Sequence, residues 1–184
     1  MGARHGAAQE TRVDESTRHT PHEGHSVEAG LYREAMSRLA AAVHVVTTRG
    51  AEGRAGFTAT AVASVSDSPP TLLVCLNRRI QSAPAFRQAG LFAVNMLSAE
   101  QEAVAQSFGG RGGLSGEQRF GVGSWHEGEL GLPCLAGALA VFECRLIEAR
   151  HVATHDVLVG RVEAVTLGPA HPSLVYLGRD FRRV

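Results

Sequence analysis

The sequence predicts a mainly β fold, an antiparallel barrel with peripheral helices. Three observations carry this. Segments rich in β-branched residues recur along the chain with short connections between them. Two long segments near the carboxy-terminal end alternate charged and apolar residues with period two. Strand and helix segments do not alternate regularly, which argues against a parallel doubly wound sheet. A chain of 184 residues suits one such domain with a sizeable core.

The elements follow in order. Residues 1–25 are polar, hold four of the nine histidines and read as a disordered arm, leaving 26–184 as the domain. His19, His22 and His25 lack the cysteines or carboxylates that would make a metal site, and no metal is expected. Ser26 is a candidate N-cap for a helix running to about residue 41, with Leu31, Ala35, Leu39 and Ala42 on one face. "VHVVTTR" reads as a strand, "GAEGR" as a turn and "AGFTATAVASVS" as one returning strand, ended by "DSPP". "TLLVCLN" is apolar on both faces and reads as an inner strand. "SAPAFRQAG" is a short helix ending at Gly90, and "LFAVNML" a strand. A helix capped by Ser98 follows, with Gln101 completing a capping box.

Residues 109–131 are glycine-rich and read as a long structureless loop. "GALAVFECRLIEAR" and "DVLVGRVEAVTL" form the alternating pair, joined by "HVATH", and Arg145 meets Glu163 if the register allows. "SLVYLG" is a last short strand. The count is six or seven strands and two or three helices.

Composition narrows the function. Lys+Arg and Asp+Glu are 18 each, so there is no basic excess to suggest nucleic acid or an anionic membrane. No run approaches the ~18 apolar residues of a membrane span. The first residues lack the apolar segment of a signal peptide, so a cytoplasmic protein is expected. Three cysteines, Cys75, Cys134 and Cys144, form neither a disulfide framework nor a CxxC pair. Hydrolase, Walker and Rossmann motifs are absent. In a regular strand, Thr58, Thr60, Val62, Ser64 and Ser66 would share one face of "AGFTATAVASVS". That row is either a solvent-facing strand or a bed for a flat ligand, with Arg78, Arg79 and Ser82 extending it toward a phosphate.

"FTATAVASVSDSPPTLLVCLNR" resembles the signature of the flavin reductase-like, FMN-binding split-barrel family, and within it the NAD(P)H:flavin reductase components of two-component flavin-dependent monooxygenases. "YREAMSRLAAAVHVVTT", "SAPAFRQAGLFAVNML", "FGG", "RFGVGSW", "GLPCLAGALAVFECRL", "THDVLVGRV" and "LVYLGRDF" continue the likeness over roughly residues 30–182. The resemblance implies a split antiparallel β-barrel of Greek-key type and a homodimer with flavin near the subunit interface. It implies hydride transfer from NADH or NADPH to FAD or FMN, with NADH and FAD favoured, and delivery of reduced flavin to a partner oxygenase. Carried over, it assigns Thr58, Thr60, Ala61 and Ser64 to the strand beside the isoalloxazine, and Cys75, Leu76 and Asn77 to the neighbouring strand end. Arg78 and Ser82 match the phosphate side, Phe108 and Arg111 the flavin tail, and Tyr176 and Phe181 aromatic positions near the carboxy terminus. His155 matches the histidine that meets nicotinamide or the flavin edge; the family's usual Gly-Asp-His or Gly-Thr-His is Ala153-Thr154-His155 here. The alternatives are a non-catalytic flavin- or heme-binding split barrel, or an oxidase holding FMN tightly.

Overall fold

The computed structural model describes residues 26–184, so the expectations for the arm and its three histidines lie outside the described residues. The elements are α1 (Ala29–Ser37), β1 (Ala41–Ala42), β2 (His44–Gly50), β3 (Gly53–Ala59), β4 (Val62–Asp67), β5 (Pro70–Asn77), α2 (Ala83–Ala89) and β6 (Leu91–Met96). Then come α3 (Glu102–Phe108), β7 (Trp125–Glu127), β8 (Pro133–Leu135), β9 (Ala140–Val152), β10 (His155–Leu167), β11 (Leu174–Leu177) and β12 (Asp180–Arg183). Among the described residues, twelve strands replace the six or seven expected. One additional strand, β4, comes from the division of an expected single strand; the others are pieces of two to four residues that a period-two pattern is too brief to reveal.

Seven strands form the main sheet, in the order β3-β2-β6-β9-β10-β5-β4, every neighbouring pair antiparallel. The two edges, β3 and β4, are consecutive in the chain. "AGFTATAVASVS" is therefore not one strand: it breaks at Thr60–Ala61, and the chain crosses there from one edge to the other. Since two residues span only about 7 Å, the sheet must curl until its edges meet. No ladder joins β3 to β4, so the barrel is split along that line. A smaller sheet, β1-β11-β12, and a ribbon, β7-β8, complete the architecture.

The sheet has an apolar cluster on each face. One contains Val46, Phe57, Val74, Leu76, Phe92 and Leu158 and is plugged by Phe86 of α2, whose ring stands edge-on to Phe57 at 5.1 Å. The other contains Val43, Val45, Leu97, Val104, Phe108 and Leu135, under α3 and the β7-β8 ribbon. Helix α2 ends at Gly90 as expected, in the left-handed region at φ +67°. The capping box at Ser98 also forms, with Gln101 Oε1 accepting from the Ser98 N–H at 3.1 Å. Helix α1 starts later than expected because Glu28, not Ser26, caps it: the carboxylate accepts from the Gly30 and Leu31 N–H groups at 2.7 and 2.9 Å. It ends at Ser37 and buries none of its residues.

The 109–131 segment is not structureless. It holds a 3-10 turn over Gly116–Gly121 and the strand β7. The aromatic residues order it: Phe108, Phe120 and Trp125 pack mutually at 5.0–5.3 Å, and the Arg54 guanidinium lies 4.5 Å over the Phe120 ring. Buried polar groups tie the segment down. Asn95 donates to the Val45 carbonyl at 2.9 Å and accepts from the Leu135 N–H at 2.8 Å, while Thr47 donates to the Pro133 carbonyl at 2.6 Å. Glu143, which alternation put on an exposed face, is buried and accepts from the Glu129 and Leu130 N–H groups, both at 2.8 Å. Arg145 does meet Glu163, at 2.8 Å, and Arg161 shares the same carboxylate.

Two predictions follow from strained or buried groups. Ala153 holds φ +50° in the β9–β10 turn. Left-handed backbone costs an L-residue roughly 1–2 kcal/mol, partly offset by the greater unfolded-state entropy of glycine. Ala153→Gly is expected to stabilise the protein by about 0.5–1 kcal/mol, read as a Tm rise of about 2 °C; an unchanged or lowered Tm contradicts the strain. His44 is buried, its Nδ1 has no protein partner among the described residues, and burial lowers its pKa below the usual 6.5. The unfolded chain then binds more protons as pH falls below 6.5, so stability drops from there down to the folded pKa. His44→Val should flatten the pH dependence of unfolding free energy between neutrality and about pH 5, and equal slopes would argue against a neutral buried imidazole.

Candidate functional site

The break at Thr60–Ala61 organises the site. A regular strand would put Thr58 through Ser66 on one continuous face; the crossover instead divides these residues between the two sheet edges. Thr58 and Thr60 face α3 and the carboxy-terminal hairpin. There they line a pocket of about 210 Å³ with Val43, Ala105, Arg111, Tyr176 and Phe181, completed by Gln106 and Gly109. Five of the predicted residues thus converge. Tyr176 and Phe181 face each other across the β11-β12 ladder with ring centroids 5.4 Å apart, and the Arg111 guanidinium lies 6.0 Å from the Phe181 ring. Gly109 belongs to the loop from Phe108 to Arg111 that the resemblance pointed to, whereas Val43, Ala105 and Gln106 escaped the sequence reading because nothing in the pattern places the start of β2 and α3 against this hairpin.

The hydroxyls differ in availability. Thr58 Oγ1 donates to the Ala105 carbonyl at 2.7 Å, and Ser66 Oγ accepts from the Ser68 N–H at 3.1 Å. Among the described residues the side-chain hydroxyls of Thr60 and Ser64 have no hydrogen-bond partner within the protein, and both residues are exposed. These two are the hydroxyls free to meet a ligand.

Beyond the break, the Ala61 carbonyl accepts from the Cys75 N–H at 3.0 Å. Cys75 and Asn77 lie opposite Val157 and His155 in the β5-β10 ladder and share one sheet face with them, all half-buried. Asn77 Oδ1 accepts from the Arg79 N–H at 3.0 Å. Arg78 donates its N–H to the Thr154 carbonyl at 3.1 Å, locking the end of β5 to the β9–β10 turn, and Thr154 Oγ1 lies 3.0 Å from His155 Nδ1. Leu76 alternates to the other face and is fully buried, so only its backbone is offered to a ligand.

Ser82 and Phe108 border a second cavity, about 590 Å³, between the β2–β3 turn, α2 and the loop after α3. It adjoins the first at Gly109. Phe108 is buried and forms its wall by packing on Gly56, where a Cβ would come within 2.7 Å of the ring. Arg119 reaches into the same cavity. Eleven of the fourteen predicted residues therefore fall into three groups: the threonine–aromatic pocket, the Cys75–Asn77–His155 sheet face with Arg78 beside it, and the cavity edge at Ser82 and Phe108; Ala61 lies at the crossover itself and Leu76 on the buried face. Ser64 stands apart on the open edge strand.

The donor set fits a flat, phosphorylated ligand. Small side chains leave the Thr60–Ala61 backbone exposed, free hydroxyls flank it, aromatic rings border it, and Arg111 lines the same pocket. Comparison with known proteins bears on what that ligand is. Residues 36–184 match the flavin reductase like domain. The chain belongs to the flavin reductase-like family. It is 50% identical over 157 residues to an FMN reductase (NADH), RutF 2, of Methylorubrum extorquens strain PA1, covering 85% of this chain and 90% of that one. Its fold matches a putative flavin reductase of Haemophilus somnus 129PT with a TM-score of 0.82 at 42% identity, over 86% of this chain and all of that one. It also matches BorF, the flavin reductase component of a bacterial two-component tryptophan halogenase, with a TM-score of 0.79 at 32% identity, over 85% and 98% of the two chains. The split-barrel expectation holds, and an oxidoreductase working with flavin and NADH agrees with these relatives.

Proposed function

We propose that the chain is an NADH-dependent flavin reductase that supplies reduced FMN or FAD to a partner flavin-dependent monooxygenase. The observation that carries this reading is the exposed Thr60–Ala61 crossover, flanked by free hydroxyls, aromatic rings and arginines, in a chain that shares half its aligned residues with an NADH-dependent FMN reductase. Thr60 and Ser64 donate hydrogen bonds to the polar edge of the flavin. Ala61 and Ala63 are small enough to let the ring reach the backbone. Arg78 and Arg111 meet the phosphate end, with Ser82 beside the former. Cys75, Asn77 and the Leu76 backbone border the ring on the β5 side, Phe108, Tyr176 and Phe181 enclose it, and His155 orients the nicotinamide. The bound flavin supplies the hydride acceptor N5. The protein contributes alignment at about 3–3.5 Å and exclusion of water, so no acid, base or nucleophile is required of its side chains.

The same reading includes a homodimer in the cytoplasm, where NADH is available. Support for the dimer comes from apolar groups facing solvent: Leu31, Tyr32, Met36 and Leu39 on and just beyond α1, and Ile147, Val152, Val165 and Leu167 on the β9-β10 arms. Leu167 is 80% exposed and Leu31 64%, which a solitary chain has no reason to maintain. A partner oxygenase is supported by the likeness to BorF, itself a component of a two-component system.

Four measurements test these statements. Purified protein with NADH and free FMN or FAD should oxidise NADH, followed at the nicotinamide absorbance band; no oxidation with either flavin removes the reductase and leaves a non-catalytic binding barrel. Thr60→Leu should weaken flavin binding roughly tenfold by blocking the crossover, and His155→Ala should raise KM for NADH or lower kcat more than it weakens flavin binding. Unchanged flavin affinity in the first variant, or the reverse pattern in the second, contradicts the assigned roles. Replacing Leu31 and Met36 together by glutamate should halve the mass seen in light scattering, whereas a wild-type protein that is already monomeric refutes the dimer.

A further inference from the structure

A charged group stands where the fold least accommodates one. Asp156 is only 4% exposed, on the β10 face that carries Leu158 and opposite Leu76 in the ladder, both fully buried. Three elements send basic side chains to it. Arg87 Nη1 of α2 lies 3.2 Å from Oδ2, Arg78 Nε at the end of β5 lies 3.7 Å from Oδ1, and His151 Nδ1 of β9 lies 3.6 Å from Oδ1. His151 Nε2 is in turn 3.1 Å from Arg78 Nη1. Arg87 approaches Oδ2 without hydrogen-bond alignment, so the carboxylate acts on its neighbours chiefly through charge.

The arrangement does more than close the barrel end. One carboxylate against two guanidiniums leaves a positive charge unmatched, held at the rim next to Asn77 and His155. Both arginines keep more than two-fifths of their side-chain surface in solvent, while the carboxylate is enclosed. An exposed arginine loses conformational freedom when it grips an anion; one already tethered loses less and binds more tightly. The carboxylate also links the segments that carry the predicted site residues: the end of β5, the helix that follows Ser82, and the hairpin that presents His155.

We propose that Asp156 is a positioning residue of the reductase site, holding the Arg78 guanidinium in place for the flavin phosphate. This rests on the reading of Arg78 as a phosphate contact. Asp156 touches no ligand; it acts through Arg78, with Arg87 neutralising it from the helix side.

The test compares FMN with riboflavin, which lacks only the phosphate. Dissociation constants are measured on the full chain by flavin fluorescence quenching. Asp156→Asn is expected to weaken FMN roughly five- to tenfold while riboflavin stays within about twofold. Arg78→Ala should do the same, and the double variant should be no weaker than Arg78→Ala alone. Equal weakening of both flavins by Asp156→Asn marks a purely structural residue and overturns the proposal, as does an additive double variant. If Arg78→Ala leaves the FMN-to-riboflavin ratio untouched, the phosphate reading of Arg78 is what fails. Arg78→Lys, an exposed change that spares the core, covers the case in which Asp156→Asn does not fold. Lysine keeps the charge but lacks the planar fork that spans carboxylate and phosphate, so the preference for FMN should fall. Wild-type FMN affinity in that variant shows that no tether is needed.

Discussion

Everything in this fold depends on the two residues that join β3 to β4. The sheet has seven strands, yet its first and last follow each other in the chain with only Thr60 and Ala61 between them. That span admits one geometry, a sheet rolled until its edges meet. The rolling creates an enclosed apolar face, plugged by Phe86, and an outer face covered by α3 and the glycine-rich segment. It also leaves the crossover exposed to solvent, although the Ala61 carbonyl is engaged by the Cys75 N–H. The candidate site is therefore a by-product of closure: exposed peptide groups with small side chains, held rigidly because both flanking strands are paired.

The outer layer shows how a segment with little apolar bulk becomes ordered. Residues 109–131 contribute Phe120 and Trp125 to a cluster centred on Phe108, and the remaining restraints are polar. Asn95 and Thr47 reach out from the sheet to the backbone of β8, and Glu143 accepts from two successive N–H groups. Buried amides and carboxylates with partners in place cost little to keep and much to disrupt. The cavity wall at Phe108 and Arg119 is thus built on these hydrogen bonds as well as on packing.

The legibility of the sequence followed the range of each interaction. Local signals were readable: the helix stop at Gly90, the Ser98–Gln101 box, the long alternating strands and the Arg145–Glu163 pair. Signals that depend on distant partners were not. Glu143 alternates like a surface residue, and only the approach of Glu129 and Leu130 makes its burial tolerable. The break at Thr60 has no proline or glycine to mark it. Asp156 looks like an ordinary turn-proximal aspartate until Arg78 and Arg87 are brought to it from other elements. Of the site, the family resemblance supplied the residues, and the fold supplied their grouping, their burial and the two hydroxyls left without partners.

The cysteines have a bearing on chemical durability. Burial, reinforced by the Glu143 charge, pushes the Cys134 and Cys144 thiols up to about 12, while Cys75 alone is half-buried. Peroxide attacks thiolate far faster than thiol. Burial above all, with the Glu143 charge added to it, keeps both sulfurs protonated across the physiological range, so an oxidant meets thiols rather than thiolates in the barrel core.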